Sequence, residues 1–287
     1  MGQFSVGANN KEHERWFALG NWRNVAKGLS HGHRFFNKEL LNLFDAIVTE
    51  ALSARDPSVA GGRPSVRILP AATPLFRARI AHDRDELAAF KKEPLKCLGA
   101  PPKEKATNGR MSAAGIPSLY LSGDRETCVA EVRPSIADQV AVGRFKSTQE
   151  LRLFDLTAFS EKEVDYPRLS IFDPSHGDRE LARLLLSHLH IELGRAVKIH
   201  DTDYLMTQAL AEYVRYYKDN GERFDGLAFH SVQKAEGVNY TLFDRSSDNE
   251  RAAHDWKPIF DVQIDASDIE VVDILRVKYE ISTHPEF

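Results

Sequence analysis

Four short segments set polar side chains among apolar or glycine-rich neighbours, and chemistry would sit there. The first, Leu75-Phe76-Arg77-Ala78-Arg79, places an arginine pair at the entry to a strand-like run. The second runs from Gly109-Arg110-Met111-Ser112 through Gly115-Ile116-Pro117 into Ser118-Leu119-Tyr120-Leu121-Ser122. The third, Glu126-Thr127-Cys128-Val129-Ala130-Glu131-Val132-Arg133, carries Glu131 among apolar residues that favour its burial. The fourth is Phe224-Asp225-Gly226-Leu227-Ala228-Phe229-His230-Ser231-Val232, followed by Gly237-Val238-Asn239-Tyr240. A planar guanidinium suits a phosphate or carboxylate gripped at two points. A fixed carboxylate can stabilise positive charge that develops on a reacting group.

Taken singly, each residue has an ordinary reading. Arg77 can be an ion-pair partner, Tyr120 a cover for core, Ser231 a strand-end cap and Asn239 a turn closer. Only their joint occurrence raises the functional reading above these. Arg79 and His230 are read as supporting residues with structural roles.

Other chemistries lack their signatures. The chain has no GxGxxG after a strand, no GxxxxGK[ST] phosphate loop, no GxSxG elbow and no HExxH helix. His188 and His190 lie two apart on a helix and point to different sides, while His31 and His33 sit in a glycine-containing turn. No metal site is predicted.

The elements that would carry these segments are legible in outline. Residues 12–54 read as helices. Leu40, Leu41, Phe44, Ile47, Val48 and Ala51 follow the helical period, with Asn37 as N-cap. Residues 56–64 break regular structure and form a linker. Thr73–Ile80 reads as a strand, and Asp83 to Glu86 as a capping box. Pro117–Ser122 is a strand with Leu119 and Leu121 on one face and Tyr120 on the other. Asp124 caps the short helix of Cys128 and Glu131, and residues 151–156 form a buried strand. Helices are predicted at about 178–193 and 204–219, and strands at 226–232, 239–243, 258–264 and about 269–275. Strands outnumber the helices between them, which favours an α+β fold with a mixed or antiparallel sheet.

Composition bounds the rest. The 287 residues carry a formal net charge of −4, with 28% charged and 42% hydrophobic positions, an ordinary globular balance. Two cysteines, Cys97 and Cys128, argue against a disulfide framework and fit a reducing compartment. No apolar run approaches the roughly 18 residues of a membrane span. The N-terminus matches neither a secretory signal nor the myristoylation pattern. The expectation is a cytoplasmic protein without membrane association and with no basic stripe for nucleic acid.

Together the four segments resemble the RES domain. Arg77, then Tyr120 and Glu131 in the LYL…ETCVAEV stretch, then Ser231 and Asn239 stand in the family's order. The helix of Tyr204 to Tyr213 is also similar to the family's. The resemblance runs from about residue 70 to 275. It implies a fold related to ADP-ribosyltransferases and a pocket for NAD⁺ as substrate, with no metal required. Family members remove nicotinamide from NAD⁺ by water or phosphate, and many are toxins paired with a helix-turn-helix antitoxin. On this reading Glu131 stabilises an oxocarbenium-like ribose and Arg77 and Arg110 grip the pyrophosphate. Tyr120 faces the nicotinamide, Ser231 hydrogen-bonds ribose or phosphate, and Asn239 orients the loop at the strand end. The site set is therefore Arg77, Arg110, Tyr120, Glu131, Ser231 and Asn239.

Residues 1–69 are read as a helical segment and 70–287 as the RES domain. The segment resembles the HEPN-like region that precedes some RES domains. Nuclease members of that superfamily have a shorter Arg-to-His spacing than Arg23 and His31 provide, so a packing or partner-binding role is expected. Trp16 and Trp22 can serve such an interface or the helical core, and core is the expectation. Transfer of ADP-ribose to a protein and a non-catalytic NAD- or nucleotide-binding module are the alternatives, and retention of both Arg77 and Glu131 speaks against the latter. The choice of water, phosphate or protein as acceptor, an Xre-like antitoxin partner and homo-oligomerisation stay open, as does a mobile loop at 97–116.

Overall fold

The computed structural model describes residues 6–32, 37–59, 61–159, 164–194, 204–246 and 258–278. It opens on two helices, α1 (Val6–His31) and α2 (Lys38–Ser53). The Asn37 side chain accepts the Leu40 amide at 3.1 Å and starts α2 as predicted. The apolar stripe of α2 is buried at Leu40, Phe44, Ile47, Val48 and Ala51, while Leu41 stays half exposed.

Strands β1 (Val66–Leu69) and β2 (Pro74–Ala81) follow, then helices α3 (Arg84–Lys92) and α4 (Pro94–Leu98). Asp83 caps α3 by accepting the Glu86 amide, and Glu86 reaches back to the His82 amide rather than to that of Asp83. Next come β3 (Ser118–Ser122), α5 (Arg125–Glu131), β4 (Gln139–Ser147) and β5 (Leu151–Asp155). Helices α6 (His176–Gly194) and α7 (Leu205–Tyr216) precede a small hairpin of β6 (Lys218–Asp219) and β7 (Glu222–Arg223). The chain closes with β8 (Gly226–His230), β9 (Val238–Phe243), β10 (Val262–Gln263) and β11 (Ile269–Asp273).

The fold is α+β. One sheet runs β1-β5-β8-β9-β3-β2-β4-β10, with β11 also paired to β4. Its only parallel pair among the described strands is β5 with β8, so the sheet is mixed. One face carries α1, α2, α6 and α7 over a core that includes Trp22, Phe44, Leu185, Leu210, Phe154 and Leu227. The other face buries Leu119 and Leu121 with Leu75, Phe90, Leu98 and Phe145. A third cluster seats α5 through Cys128 against Ala78, Val140 and Val142.

Several expectations shift. Helix α7 ends at Tyr216 rather than 219, because Asn220-Gly221 turns the chain with positive φ at both residues, the usual two-residue hairpin device. The strand expected at 258–264 is only Val262–Gln263. Strand β4 was not anticipated; it is buried on both faces from Val140 to Gly143 and so shows no alternation. Trp22 is core, but Trp16 is 73% exposed, correcting its assignment. His31 is exposed at the end of α1, and His33 lies outside the described residues. No described helix is long and apolar enough to cross a membrane.

Candidate functional site

Strands β2 and β3 share one ladder pair, Phe76 opposite Ser122. Beyond it they part, while each stays paired along its other edge, β2 with β4 and β3 with β9. A cavity of about 230 Å³ opens in the gap. Arg77 enters it from β2, Tyr120 from β3, Glu131 from the last residue of α5, Asn239 from β9, and Arg110 from the turn before β3. Phe76 and Phe229 add aromatic wall.

Among the described residues the cavity has one carboxylate, Glu131, and it is fixed in place. Asn239 Nδ2 donates to Glu131 Oε1 at 2.7 Å, and the Ser231 hydroxyl donates to the same oxygen at 2.6 Å. Asn239 is itself oriented: the Ser122 hydroxyl donates to its Oδ1 at 2.7 Å, across the β3–β9 register. Glu131 is exposed rather than buried, because it ends α5 at the cavity rim. Ser231 does not line the cavity; it acts on Glu131.

The loop that carries Ser231 grips α5 at both ends. Lys234 Nζ reaches Asp124 at 2.9 Å and Glu126 at 2.8 Å, while Asp124 caps α5 through the Thr127 amide and hydroxyl. Desolvation pushes the Asp124 carboxyl up, but hydrogen bonds from Thr127 and Lys234 outweigh it and hold the pKa at about 2. Gly237 must be glycine here, since a Cβ would sit 2.6 Å from Thr127 Oγ1.

Arg77 is a half-buried cation of the site. Its Nη1 is shielded from solvent and has no hydrogen-bond partner among the described residues. Burial, with Arg79 adding repulsion and Tyr120 opposing, pulls its pKa down to about 10, so it keeps its charge at neutral pH. A buried charged donor without a partner is costly unless a ligand supplies an acceptor. Arg110 is held differently: its guanidinium donates to the Leu193 carbonyl and lies over the Tyr204 ring at 5.5 Å. Burial lowers its pKa, with Tyr204 and Glu131 opposing.

Tyr120 uses its hydroxyl on the turn that bears Arg110. Tyr120 Oη accepts the Met111 amide at 2.8 Å and shares a 3.1 Å hydrogen bond with Ser112 Oγ. Burial raises its pKa, so it remains a neutral phenol. Gly109 lies so close that a Cβ there would come within 2.6 Å of Tyr120 Oη. Residues 109–112, inside the stretch expected as a mobile loop, are thus fastened to β3.

All six expected residues converge on this place, though Ser231 and Asn239 converge on Glu131. Sequence reasoning missed Ser122, which orients Asn239, and Phe76 and Phe229; alternation of polar and apolar residues in β3 and β2 was a signal for the first two, while β8, apolar and buried from Gly226 to Phe229, offered none for Phe229. A larger cavity of about 780 Å³ lies between α2 and α7, lined by Leu40, Phe44, Tyr213 and Tyr217 with no arginine. Glu212 and Lys218 also line it, but both are exposed, and no buried charge enters it among the described residues. Among the described residues no three His, Cys, Asp or Glu side chains are grouped to hold a metal ion.

The family model described as the RES domain matches residues 74–265, well over half of the chain and all of the site just described. Neither the curated proteins nor the solved structures give a match.

Proposed function

The chain belongs to the RES-domain family, and on that premise we propose that it consumes NAD⁺ by breaking the bond between nicotinamide and ribose. The observation that carries the reading is one cavity holding both a carboxylate fixed by Ser231 and Asn239 and a half-buried Arg77 whose Nη1 is shielded from water and unpartnered among the described residues.

The chemistry balances without a metal. The bond from ribose C1″ to the pyridinium nitrogen breaks with its electron pair going to nitrogen, so nicotinamide leaves neutral. Positive charge gathers on the ribose, as in glycoside hydrolysis. Glu131, with Oε1 occupied, turns Oε2 to that charge or to a ribose hydroxyl. Water then forms the new bond at C1″ and gives up one proton to Glu131 or to solvent, whereas hydrogen phosphate forms it through an oxygen that already carries negative charge. Arg77 and Arg110 draw in the pyrophosphate, and Tyr120, Phe76 and Phe229 offer aromatic surface to nicotinamide. At about 230 Å³ the cavity falls below the roughly 300–1,000 Å³ of typical ligand pockets, so it suits the nicotinamide–ribose end rather than the whole dinucleotide. A fold related to ADP-ribosyltransferases, a toxin role in the cytoplasm and an Xre-like antitoxin partner belong to the same proposal and rest on the family.

The test is NAD⁺ consumption by purified protein with and without phosphate, products resolved by mass spectrometry. ADP-ribose identifies water as acceptor, its 1″-phosphate identifies phosphate, and label retained on protein identifies transfer. NAD⁺ left intact across conditions overturns the proposal.

A further inference from the structure

We propose that Gln208, aided by Thr207, is a positioning residue for Arg110, acting through the backbone of residues 109–112 without touching the ligand. The ligand's identity rests on the NAD⁺ reading above.

A glutamine in a helix ordinarily faces water. Gln208, in the first turn of α7, is instead buried, as is Thr207. Both hydrogens of its amide are used: Nε2 donates to the Gly109 carbonyl at 2.8 Å and to the Ser112 carbonyl at 3.2 Å. The Thr207 hydroxyl donates to the Arg110 carbonyl at 2.5 Å. With Tyr120 Oη holding the Met111 amide, every residue of the turn has a backbone group tied to α7 or β3. The Gly109 amide closes the turn on the Ser112 carbonyl at 2.8 Å. Arg110 leaves this platform for the cavity that Arg77 and Glu131 line, whereas Gln208 does not line it. The point from which Arg110 leaves the turn is therefore set by neutral hydrogen bonds from a neighbouring helix, while its guanidinium is held further out by the Leu193 carbonyl and the Tyr204 ring. Because a misaimed arginine weakens ligand capture more than the bond-breaking step, the effect falls on KM rather than kcat.

Gln208→Met keeps length and removes both donors; Thr207→Val removes the other. For each the expected result is a KM for NAD⁺ raised about tenfold with kcat within about twofold. In an Arg110→Ala background, Gln208→Met adds nothing further, since both changes act through one group. Hydrogen exchange at the Met111 amide speeds up in Gln208→Met. An unchanged KM, or full additivity with Arg110→Ala, overturns the assignment. Should the wild-type protein leave NAD⁺ intact, the NAD⁺ reading fails and Met111 exchange decides this one: unchanged protection overturns it, and faster exchange upholds the hold on the turn.

Discussion

The Ser231 hydroxyl donates to Glu131 Oε1 at 2.6 Å, tying together residues 100 positions apart in the chain. It accepts in turn from the amides of Gln233 at 3.1 Å and Lys234 at 3.2 Å, so its proton is directed at the carboxylate. Asn239 meets the same oxygen, and no bond to Oε2 occurs among the described residues. One oxygen orients the group, and on the proposed mechanism the other faces the substrate.

Glu131→Gln keeps the shape and removes the charge. NAD⁺ turnover is expected to fall by about a thousandfold or more, as for loss of a main electrostatic stabiliser. Stability should change by less than about 0.5 kcal/mol, because the side chain is exposed. Ser231→Ala and Asn239→Ala should each cost roughly 10–100-fold, and the double variant less than their product, since both act on Oε1. Steady-state kinetics on the four proteins decides it; wild-type turnover by Glu131→Gln would place the chemistry elsewhere.

Arg77→Met separates function from folding. Arg77 is half-buried, with Nη1 shielded from water and unpartnered among the described residues, a cost the fold bears without a ligand. Methionine removes that cost and retains the volume, so denaturant unfolding should show a gain of about 1 kcal/mol. The KM for NAD⁺ should rise roughly 10–100-fold, the worth of a charge-assisted hydrogen bond. A variant that unfolds earlier and binds as well as wild type would make Arg77 structural.

The order of Arg77, Tyr120, Glu131, Ser231 and Asn239 was legible in the sequence, and so were the caps at Asn37, Asp83 and Asp124. Their division of labour was not. Ser231 read as a ligand contact and Asn239 as a residue orienting the strand-end loop at the ligand site, because nothing local shows that Glu131 lies opposite them, 100 and 108 positions away. Glu131 read as buried from Val129 and Val132, yet it ends its helix and so comes to the surface. Strand β4 hid because a strand buried on both faces loses the alternation that marks a half-exposed one. Gln208 hid for the opposite reason: glutamine is an ordinary helix former, and only the nearness of Gly109 and Ser112 gives it a task.

Acid should loosen the N-terminus of α5. The folded pKa of Asp124, about 2, lies below its ordinary 3.8, so its stabilisation is fully present above about pH 4. It is lost as pH falls from there through about 2. Asp124→Asn keeps a good N-cap but gives up the charge facing Lys234. The wild-type advantage over Asp124→Asn should therefore be constant from pH 7 to about 4 and vanish near pH 2, as followed by thermal unfolding. An advantage that persists at pH 2 would show that the cap, not the charge, sets the difference.

Glu50 joins the N-terminal helices to the rest of the fold. It sits on α2 with 0% exposure and accepts from Arg179 Nε and, at 2.5 Å, from Arg183 Nε, both on α6. Arg183 also donates to the Pro167 carbonyl at 2.7 Å and lies over the Tyr166 ring at 4.6 Å. Removing a buried carboxylate strands two arginines that are mostly shielded from water, and breaking such a pair costs about 3–5 kcal/mol. Both arginines keep some exposure and other partners, so Glu50→Ala should fall at the low end, about 3 kcal/mol. Glu50→Gln, which retains one acceptor, should lose less. Urea unfolding should show the midpoint drop with its slope unchanged if α1 and α2 unfold with the sheet. A lowered slope, with the α2 amides exchanging well before those of β8 and β9, would instead make the two helices a separate unit that Glu50 merely docks.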